Sequence, residues 1–239
     1  MGWIVPPPKK SVKTRKEFEA ERIEKAKWLV EQNLLISERI AKAMIKVPRE
    51  EFIPEDYRDY AYVEVPLPIP GEEATISCPH SYPLFYEALE LRENDRFLEI
   101  GTGSGYGAAL AREIVGGKGR VVTIEIDERT YEFATDNLKR RQYSDVLVIL
   151  GDGSLGYPQE GPYDKICVTA ACPRIPRPLI SQMKLGGKLA APVGYPNCEQ
   201  DLILLEKQLN GKTRERIVDK VLYVPLKGRF GFQRSNFQF

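Results

Sequence analysis

The chain has 239 residues, of which 42% are hydrophobic and 29% are charged, with 35 Lys and Arg against 34 Asp and Glu. This composition is that of a folded globular protein and excludes a disordered chain. The net charge of +1 argues against a protein that coats nucleic acid, and the sequence has no apolar run that would predict a membrane span or a signal peptide.

The cysteines and the histidine are few and are not arranged as a metal site. The four cysteines contain no C-x-x-C pair, and His80 is the one histidine in the chain. We therefore expect no metal and no disulfide framework. Reduced thiols are typical of the cytosol, so we expect a cytoplasmic protein.

Helix signals begin near the N-terminus. Residues 1–13 are rich in proline and lysine, and we expect them to be loose. Thr14 and Glu17 fit a capping box that begins a first helix. Ser37 is expected to cap a second helix, which Pro48 ends.

A turn-rich segment comes next. Residues 48–71 contain five prolines, which favour an extended path over a surface. The stretch "HSYPLFYEALEL" predicts a third helix, in which Pro83 is tolerated because it lies in the first turn. We expect residues 14–95 to form a helical and proline-rich segment on the substrate side of the molecule.

The pattern changes at Arg96, where short strands begin to alternate with helices. The predicted strands are "RFLEI", "RVVTIEI", "VLVIL", "YDKICVTAA" and "KLAAPVG", and the helices include "AALAREIV", "ERTYEFATDNLKRR" and "IPRPLISQMKL", the last ended by two glycines. This alternation predicts an α/β fold with a mostly parallel sheet and helices on both faces. The runs "DLILLEKQL" and "ERIVDKVLYVPL" predict an antiparallel edge hairpin about Asn210-Gly211. Residues 96–228 would form the cofactor domain, and residues 229–239 a C-terminal tail.

A glycine-rich loop follows the first of these strands. Gly101, Gly103 and Gly105 let the backbone turn tightly and approach a ligand at the start of a helix. Glu125 ends the second strand, at the spacing where a carboxylate accepts ribose hydroxyls, and Asp152 follows the third strand. The carboxyl ends of parallel strands meet at one edge, so these residues predict a nucleotide-type site.

Two ligands compete for this site. The run G-x-G-x-G is typical of S-adenosylmethionine, whereas Gly103, Gly105 and Ala108 also satisfy a dinucleotide variant. We favour S-adenosylmethionine, because it lacks the pyrophosphate that the dinucleotide spacing serves, and because Asp152 suits the amino group of adenine.

Longer stretches of the sequence resemble one family. "VPREEFIP", "PLPIPGEEATISCPH", "LEIGTGSGYGAALA", "GDGSLGYP", "PYDKICVTAACPRIP", "MKLGGKLAAPVG" and "YVPLKG" are together similar to the protein-L-isoaspartate O-methyltransferases. The resemblance covers about residues 23–228. It implies a Rossmann-like methyltransferase fold, S-adenosylmethionine as cofactor, and methyl transfer to the α-carboxylate of L-isoaspartyl residues in damaged proteins.

The resemblance also implies residue roles. Ser77 would hold the substrate carboxylate over the methyl donor, although a serine there can also be a helix N-cap. His80 is expected to be a structural residue with local hydrogen bonds. The expected cofactor-binding residues are Thr75, Ile76, Glu99, Gly101, Thr102, Gly103, Ser104, Gly105, Glu125, Ile126, Asp152, Gly153 and Thr169.

One departure from the family pattern concerns the acceptor side. Glu72 and Glu73 are unexpected beside a site for a negatively charged substrate.

The expected partners are isoaspartyl proteins and peptides, with no nucleic acid and no membrane, and the protein is expected to be a monomer. Three alternatives stay open: a methyltransferase of the same fold acting on transfer RNA, a non-catalytic S-adenosylmethionine-binding module, and an NAD-dependent oxidoreductase.

Overall fold

The structure is a computed structural model that describes residues 5–232. Its helices and strands follow the chain in an order that begins with helices and ends with strands. The helices are α1 Arg15–Glu31, α2 Glu38–Lys46, α3 Ser81–Leu89, α4 Tyr106–Val115, α5 Glu128–Arg140 and α6 Arg177–Ser181. The strands are β1 Leu67–Pro68, β2 Thr75–Ile76, β3 Arg96–Ile100, β4 Arg120–Glu125, β5 Leu147–Leu150, β6 Tyr163–Val168, β7 Met183–Val193, β8 Gln200–Lys207 and β9 Thr213–Val221.

Seven strands form the main sheet in the order β5-β4-β3-β6-β7-β8-β9. The pairs from β5 to β7 are parallel, and β8 and β9 pair antiparallel at one edge. This confirms the predicted fold class and the edge hairpin, whose turn places Gly211 at φ +79°. The strand order reverses between β3 and β6, and open α/β sheets bind ligands at such a switch point.

Apolar side chains of the strands point alternately to two cores. Phe97 and Val121 face a core that also contains residues of α1 to α5. Their neighbours Leu98 and Val122 face a second core, which α6 covers through Leu179. Burial on both faces explains why these strands read as continuous apolar runs rather than as alternating ones.

The N-terminal segment covers one face of the sheet and is fixed to it. Both halves of the predicted capping box are present, since Thr14 accepts from the Glu17 N–H and the Glu17 side chain accepts from the Thr14 N–H. The helix from Ser81 has Pro83 in its first turn, as predicted. A two-stranded ribbon of β1 and β2 pairs Leu67 with Ile76 just before this helix.

Three expectations need correction. Part of the segment expected to be loose is anchored, because the Ser11 hydroxyl donates to Asp59 (2.7 Å) and the Lys9 N–H donates to the Asp56 carbonyl (2.9 Å). Ser37 is at the N-cap of α2, but its side chain makes no capping hydrogen bond. Its backbone N–H donates instead to Glu87 of α3 (2.6 Å).

The predicted helix before the two glycines is also too long. The helix in the structure, α6, ends at Ser181. Strand β7 begins at Met183, so Gly186 and Gly187 lie inside the strand. Tertiary pairing decides this boundary, since Met183 pairs with Tyr163 and the register then shifts along β6. Within residues 5–232, none of the helices is both long and apolar enough to cross a membrane.

Candidate active site

The glycine loop lies at the switch point between β3 and β6. Gly101 has φ +93°, and a Cβ there would approach the Thr169 Oγ1 atom to 2.5 Å, so both the backbone and the space require glycine. The Thr169 hydroxyl donates to the carbonyls of Gly101 (2.8 Å) and Ile100 (3.0 Å). Thr169 thus fixes the turn from the neighbouring strand end.

Glu125 is bound tightly to the loop from the end of β4. One carboxylate oxygen accepts from the Gly103 N–H (3.0 Å), and the other accepts from the N–H groups of Ile126 (2.9 Å) and Asp127 (3.2 Å). Burial raises the pKa of Glu125, and these three donors oppose that rise. A carboxylate has about four acceptor positions, so about one is left for a ligand.

Asp152 lies at the end of β5 and is fastened to the C-terminal part of the chain. Its Oδ1 atom accepts from the Ser154 N–H (2.9 Å) and hydroxyl (2.6 Å), and its Oδ2 atom accepts from the Arg229 N–H (2.8 Å). The Phe230 N–H donates to the Ser154 hydroxyl (3.0 Å). The beginning of the predicted tail is therefore part of this site, and the remainder, residues 233–239, lies outside the described residues.

The ribbon strand β2 carries Thr75 and leads to Ser77 across the glycine loop. A Cβ placed on Gly103 would lie 3.6 Å from the Thr75 carbonyl oxygen, which shows how closely the two backbones approach. Ser77 is half-buried and follows β2 directly. The N-cap of α3 is His80, so the alternative role of Ser77 as the cap of that helix is wrong.

Arg49 lies behind Ser77, and its role was not predicted. Its side chain is 1% exposed, and it donates from Nη2 to the Ser77 carbonyl and from Nε to the Ala61 carbonyl, both at 2.6 Å. The guanidinium also lies over the rings of Tyr106 (5.3 Å) and Tyr82 (5.7 Å). Arg49 belongs to the stretch "VPREEFIP", which resembles the family. Its contact with Ser77 joins residues 28 apart, however, and no local sequence pattern indicates such a contact.

His80 bonds locally, as predicted. Its Nδ1 atom lies 2.6 Å from a carboxylate oxygen of Glu64, whose other oxygen lies 3.1 Å from the Lys25 ammonium. Ligand atoms of Glu64, His80 and Cys78 come within 4.8 Å of one another. Burial raises the pKa of the Cys78 thiol to about 11, which keeps the sulfur protonated and a poor metal ligand. The absence of a metal stays a prediction.

The predicted cofactor residues fall into two layers. An accessible layer contains half-buried residues and one exposed apolar side chain, Ile126, which is 41% exposed; its members are Thr75, Gly101, Gly103, Ile126, Asp152 and Thr169. A buried layer lies beneath or behind it: Ile76, Glu99, Thr102, Ser104, Gly105, Glu125 and Gly153.

The buried layer supports the loop through side-chain hydrogen bonds. The Thr123 hydroxyl donates to Glu99 and lies against the Thr102 hydroxyl, both at 2.8 Å. The Ser104 side chain accepts from the Tyr106 N–H (3.3 Å). Burial is the main reason that the pKa of Glu99 rises to about 8. Any cofactor contact by these side chains stays a prediction.

The two unexpected glutamates differ in their surroundings. The Lys227 ammonium donates to Glu72 (2.9 Å), and the Glu72 N–H donates to Asp127 (3.3 Å). Glu73 is exposed in a left-handed turn at φ +58°. The charge of Glu72 is therefore offset by a lysine from the C-terminal segment.

The sequence of this chain matches one family of known proteins. The sequence profile of the protein-L-isoaspartate(D-aspartate) O-methyltransferases matches residues 22–231. The Archaeoglobus fulgidus protein-L-isoaspartate O-methyltransferase 2 is 47% identical over 213 residues, which are 89% of this chain and 96% of that protein. The Methanopyrus kandleri protein-L-isoaspartate O-methyltransferase is 48% identical over 198 residues, 82% of this chain and 87% of that protein.

Solved structures agree with the sequence relatives. A protein-L-isoaspartate O-methyltransferase structure is 32% identical, with a TM-score of 0.77 over 87% of this chain and 67% of that chain. A Plasmodium falciparum structure, described as a putative protein-L-isoaspartate O-methyltransferase in complex with S-adenosyl-L-homocysteine, has a TM-score of 0.75. It is 22% identical over 86% of this chain and 98% of that chain, so its likeness concerns the fold alone.

Proposed function

The chain belongs to the protein-L-isoaspartate O-methyltransferase family, and on that premise we propose how its own residues perform the family's reaction. The protein transfers a methyl group from S-adenosylmethionine to the α-carboxylate of L-isoaspartyl residues in damaged proteins. The observation that carries the residue assignment is the position of the Ser77 element across the glycine loop at the switch point. The relatives do not favour the transfer-RNA methyltransferase, the binding module or the NAD-dependent enzyme.

The residues around the glycine loop fit the cofactor. When bound, S-adenosylmethionine supplies an electrophilic methyl group on a sulfonium centre. Glu125 keeps about one acceptor position for a ribose hydroxyl, and Asp152 is the acceptor for the adenine side. Ile126, which is exposed and lies between Glu125 and Asp152 in the sequence, offers an apolar surface to the adenine base. Gly101 and Gly103 permit close approach of the backbone, and the buried layer keeps that backbone in place.

Ser77 is the residue that holds the acceptor. Its hydroxyl can donate to the substrate carboxylate, and Arg49 fixes its backbone from behind. The buried guanidinium also adds positive charge next to the place where an anion must bind. Among residues 5–232, Arg49 forms no salt bridge within 4.0 Å, so no carboxylate is paired directly with this charge.

The chemistry needs no general base. A carboxylate has a reference pKa near 4 and is already ionised at neutral pH. The residues must therefore bind it, orient one oxygen toward the methyl group and exclude water. This accounts for a site built from hydroxyls, glycines and backbone groups, in which His80 is bonded to Glu64 and is not required to move a proton.

The remaining assignments concern the domain organisation, the substrates, the cellular compartment and the oligomeric state. We assign residues 14–95 to the substrate side and residues 96–228 to cofactor binding, since β2 and Ser77 come from the first part and the glycine loop from the second. Isoaspartyl proteins are the substrates, and we propose a cytoplasmic monomer that requires neither nucleic acid nor membrane. The cysteines Cys78, Cys167, Cys172 and Cys198 are free thiols, which supports a reducing compartment.

The test is transfer of a labelled methyl group to an isoaspartyl peptide, beside the matching aspartyl peptide. We expect base-labile methylation of the isoaspartyl peptide alone. Ser77→Ala should lower kcat/KM strongly while leaving the Kd of S-adenosylmethionine unchanged, and Ser144→Ala, an exposed serine, is the matched control. Equal methylation of both peptides would refute the substrate assignment, and full activity of Ser77→Ala would refute the role of Ser77.

A further inference from the structure

Tyr223 follows the last strand and is fixed firmly at its backbone. Its N–H donates to the side chain of Gln200 (2.8 Å), which is fully buried at the start of β8. The carbonyl of the next residue, Val224, accepts from the Ala171 N–H (2.8 Å), just beyond the end of β6. The segment after β9 therefore crosses back over the carboxyl ends of the parallel strands, where the site lies.

The ring of Tyr223 is directed toward the start of α3. It packs edge-on against Phe85, with ring centroids 5.5 Å apart and planes at 68°. Burial raises the pKa of its hydroxyl, and the side chains of Ser81 and Ser77 oppose that rise as hydrogen-bonding neighbours. Tyr223 is half-buried, as both serines are. Three hydroxyls, two from the stretch 77–81 and one from the segment after β9, thus form one cluster, which we call the hydroxyl cluster.

A single serine is not sufficient to orient a carboxylate. The hydroxyl of Ser77 supplies one donor, whereas a carboxylate has two oxygens and about four acceptor positions. With one hydrogen bond the carboxylate can still rotate, and either oxygen can face the methyl donor. A second donor removes that freedom, because two hydrogen bonds fix the carboxylate plane.

A tyrosine hydroxyl suits this task. It can donate to a neighbouring serine when no anion is present and can turn its hydrogen to an anion when one binds. Hydrogen bonds to an ionised acceptor are roughly twice as strong as neutral ones. Burial raises the pKa of Tyr223, so the hydroxyl keeps its proton at neutral and alkaline pH.

We propose that the Tyr223 hydroxyl donates a second hydrogen bond to the substrate carboxylate and, with Ser77, selects the oxygen that receives the methyl group. This assignment rests on the proposed function, since it requires an isoaspartyl carboxylate at Ser77. It makes Tyr223 a substrate-binding residue contributed by the C-terminal segment.

Tyr223→Phe tests the proposal, because it removes one oxygen and keeps the ring against Phe85. We expect kcat/KM for the isoaspartyl peptide to fall about tenfold to a hundredfold, as for one lost hydrogen bond to a charged group. The Kd of S-adenosylmethionine should not change, and the Tm should fall only slightly, as for one lost hydrogen bond between half-buried hydroxyls. Tyr195→Phe, at a tyrosine that is 79% exposed, is the matched control.

A double-mutant cycle separates a shared ligand from two independent effects. If Tyr223 and Ser77 bind the same carboxylate, the loss in the double variant should differ from the sum of the two single losses. Kinetics within twofold of the unchanged protein for Tyr223→Phe would overturn the proposal, and so would parallel losses of cofactor affinity and Tm. If the unchanged protein methylates no isoaspartyl peptide, the proposed function fails and this assignment falls with it.

Discussion

Replacing Glu99 with glutamine should change how stability depends on pH. The side chain is 2% exposed, and mainly because of burial its pKa rises from 4.5 to about 8. In the unfolded chain the carboxyl loses its proton as the pH passes 4.5, whereas in the folded protein it keeps the proton until about pH 8. The unfolded state binds fewer protons between these values, so the free energy of unfolding falls as the pH rises.

The size of the effect follows from the two pKa values. Each pKa unit is worth about 1.4 kcal/mol, so the shift from 4.5 to about 8 corresponds to a loss on the order of 5 kcal/mol at alkaline pH. Glutamine has nearly the same shape and can still accept from the Thr123 hydroxyl, but it does not titrate. The Glu99→Gln variant should therefore match the unchanged protein near about pH 5 and exceed it in stability near about pH 9.

Urea denaturation at a series of pH values measures this difference directly. The expected result is that the two stability curves diverge across the interval from 4.5 to about 8. Glu132→Gln, at an exposed position of α5, is the control for loss of one surface carboxylate. Parallel curves for the Glu99→Gln variant and the unchanged protein would refute the reasoning, because they would mean that Glu99 titrates alike in both states.

Three further changes test other parts of the site. Glu125→Gln removes one of the two oxygens that accept three backbone N–H groups, so the Kd of S-adenosylmethionine by calorimetry should rise about tenfold or more. Gly228→Ala places a Cβ 2.1 Å from Asp152 Oδ1 at φ +119°, so it should also weaken cofactor binding in the same assay. Tyr86→Phe loses the hydrogen bond to the Gly107 carbonyl (2.8 Å) and should lower the free energy of unfolding by about 1 kcal/mol without changing turnover.

Each of these has an outcome that would count against it. An unchanged cofactor Kd in Glu125→Gln would separate that carboxylate from the cofactor site. The same result in Gly228→Ala would mean that the C-terminal segment does not influence Asp152. Loss of turnover in Tyr86→Phe without loss of stability would give that hydroxyl a part in the reaction that its contact with the helix backbone does not explain.

Local patterns were enough to predict much of the fold and the loop. The capping box at Thr14 and Glu17 depends on residues three apart, so it is visible in the sequence. The glycine loop and Glu125 were found because the loop follows a mostly apolar strand and Glu125 ends the next strand along the chain. Those strands are apolar because both faces of the sheet are covered.

Long-range contacts explain what could not be predicted. The start of β7 at Met183 is set by its partner on β6 and not by the glycines that follow. Ser37 fails to cap α2 through its side chain, whereas its backbone N–H is taken by Glu87, 50 residues away. Arg49 donates to the Ser77 carbonyl and Tyr223 packs against Phe85 of α3 from distant parts of the chain, and neither stands in a pattern that indicates its target.

The hydrogen bonds that residues 227–230 make to Asp152 and Glu72 have a consequence for synthesis of the protein. Arg229 binds a residue 77 positions earlier, and Lys227 binds one 155 positions earlier. The glycine loop and the parallel strands leave the ribosome before either partner exists, and domains fold as they emerge. A nascent chain can therefore contain the glycine loop and the parallel strands before Asp152 and Glu72 have their C-terminal partners. Methyl transfer should begin only once residues 227–230 have left the ribosome, so a chain that is cut short before residue 227 should lack methyl transfer.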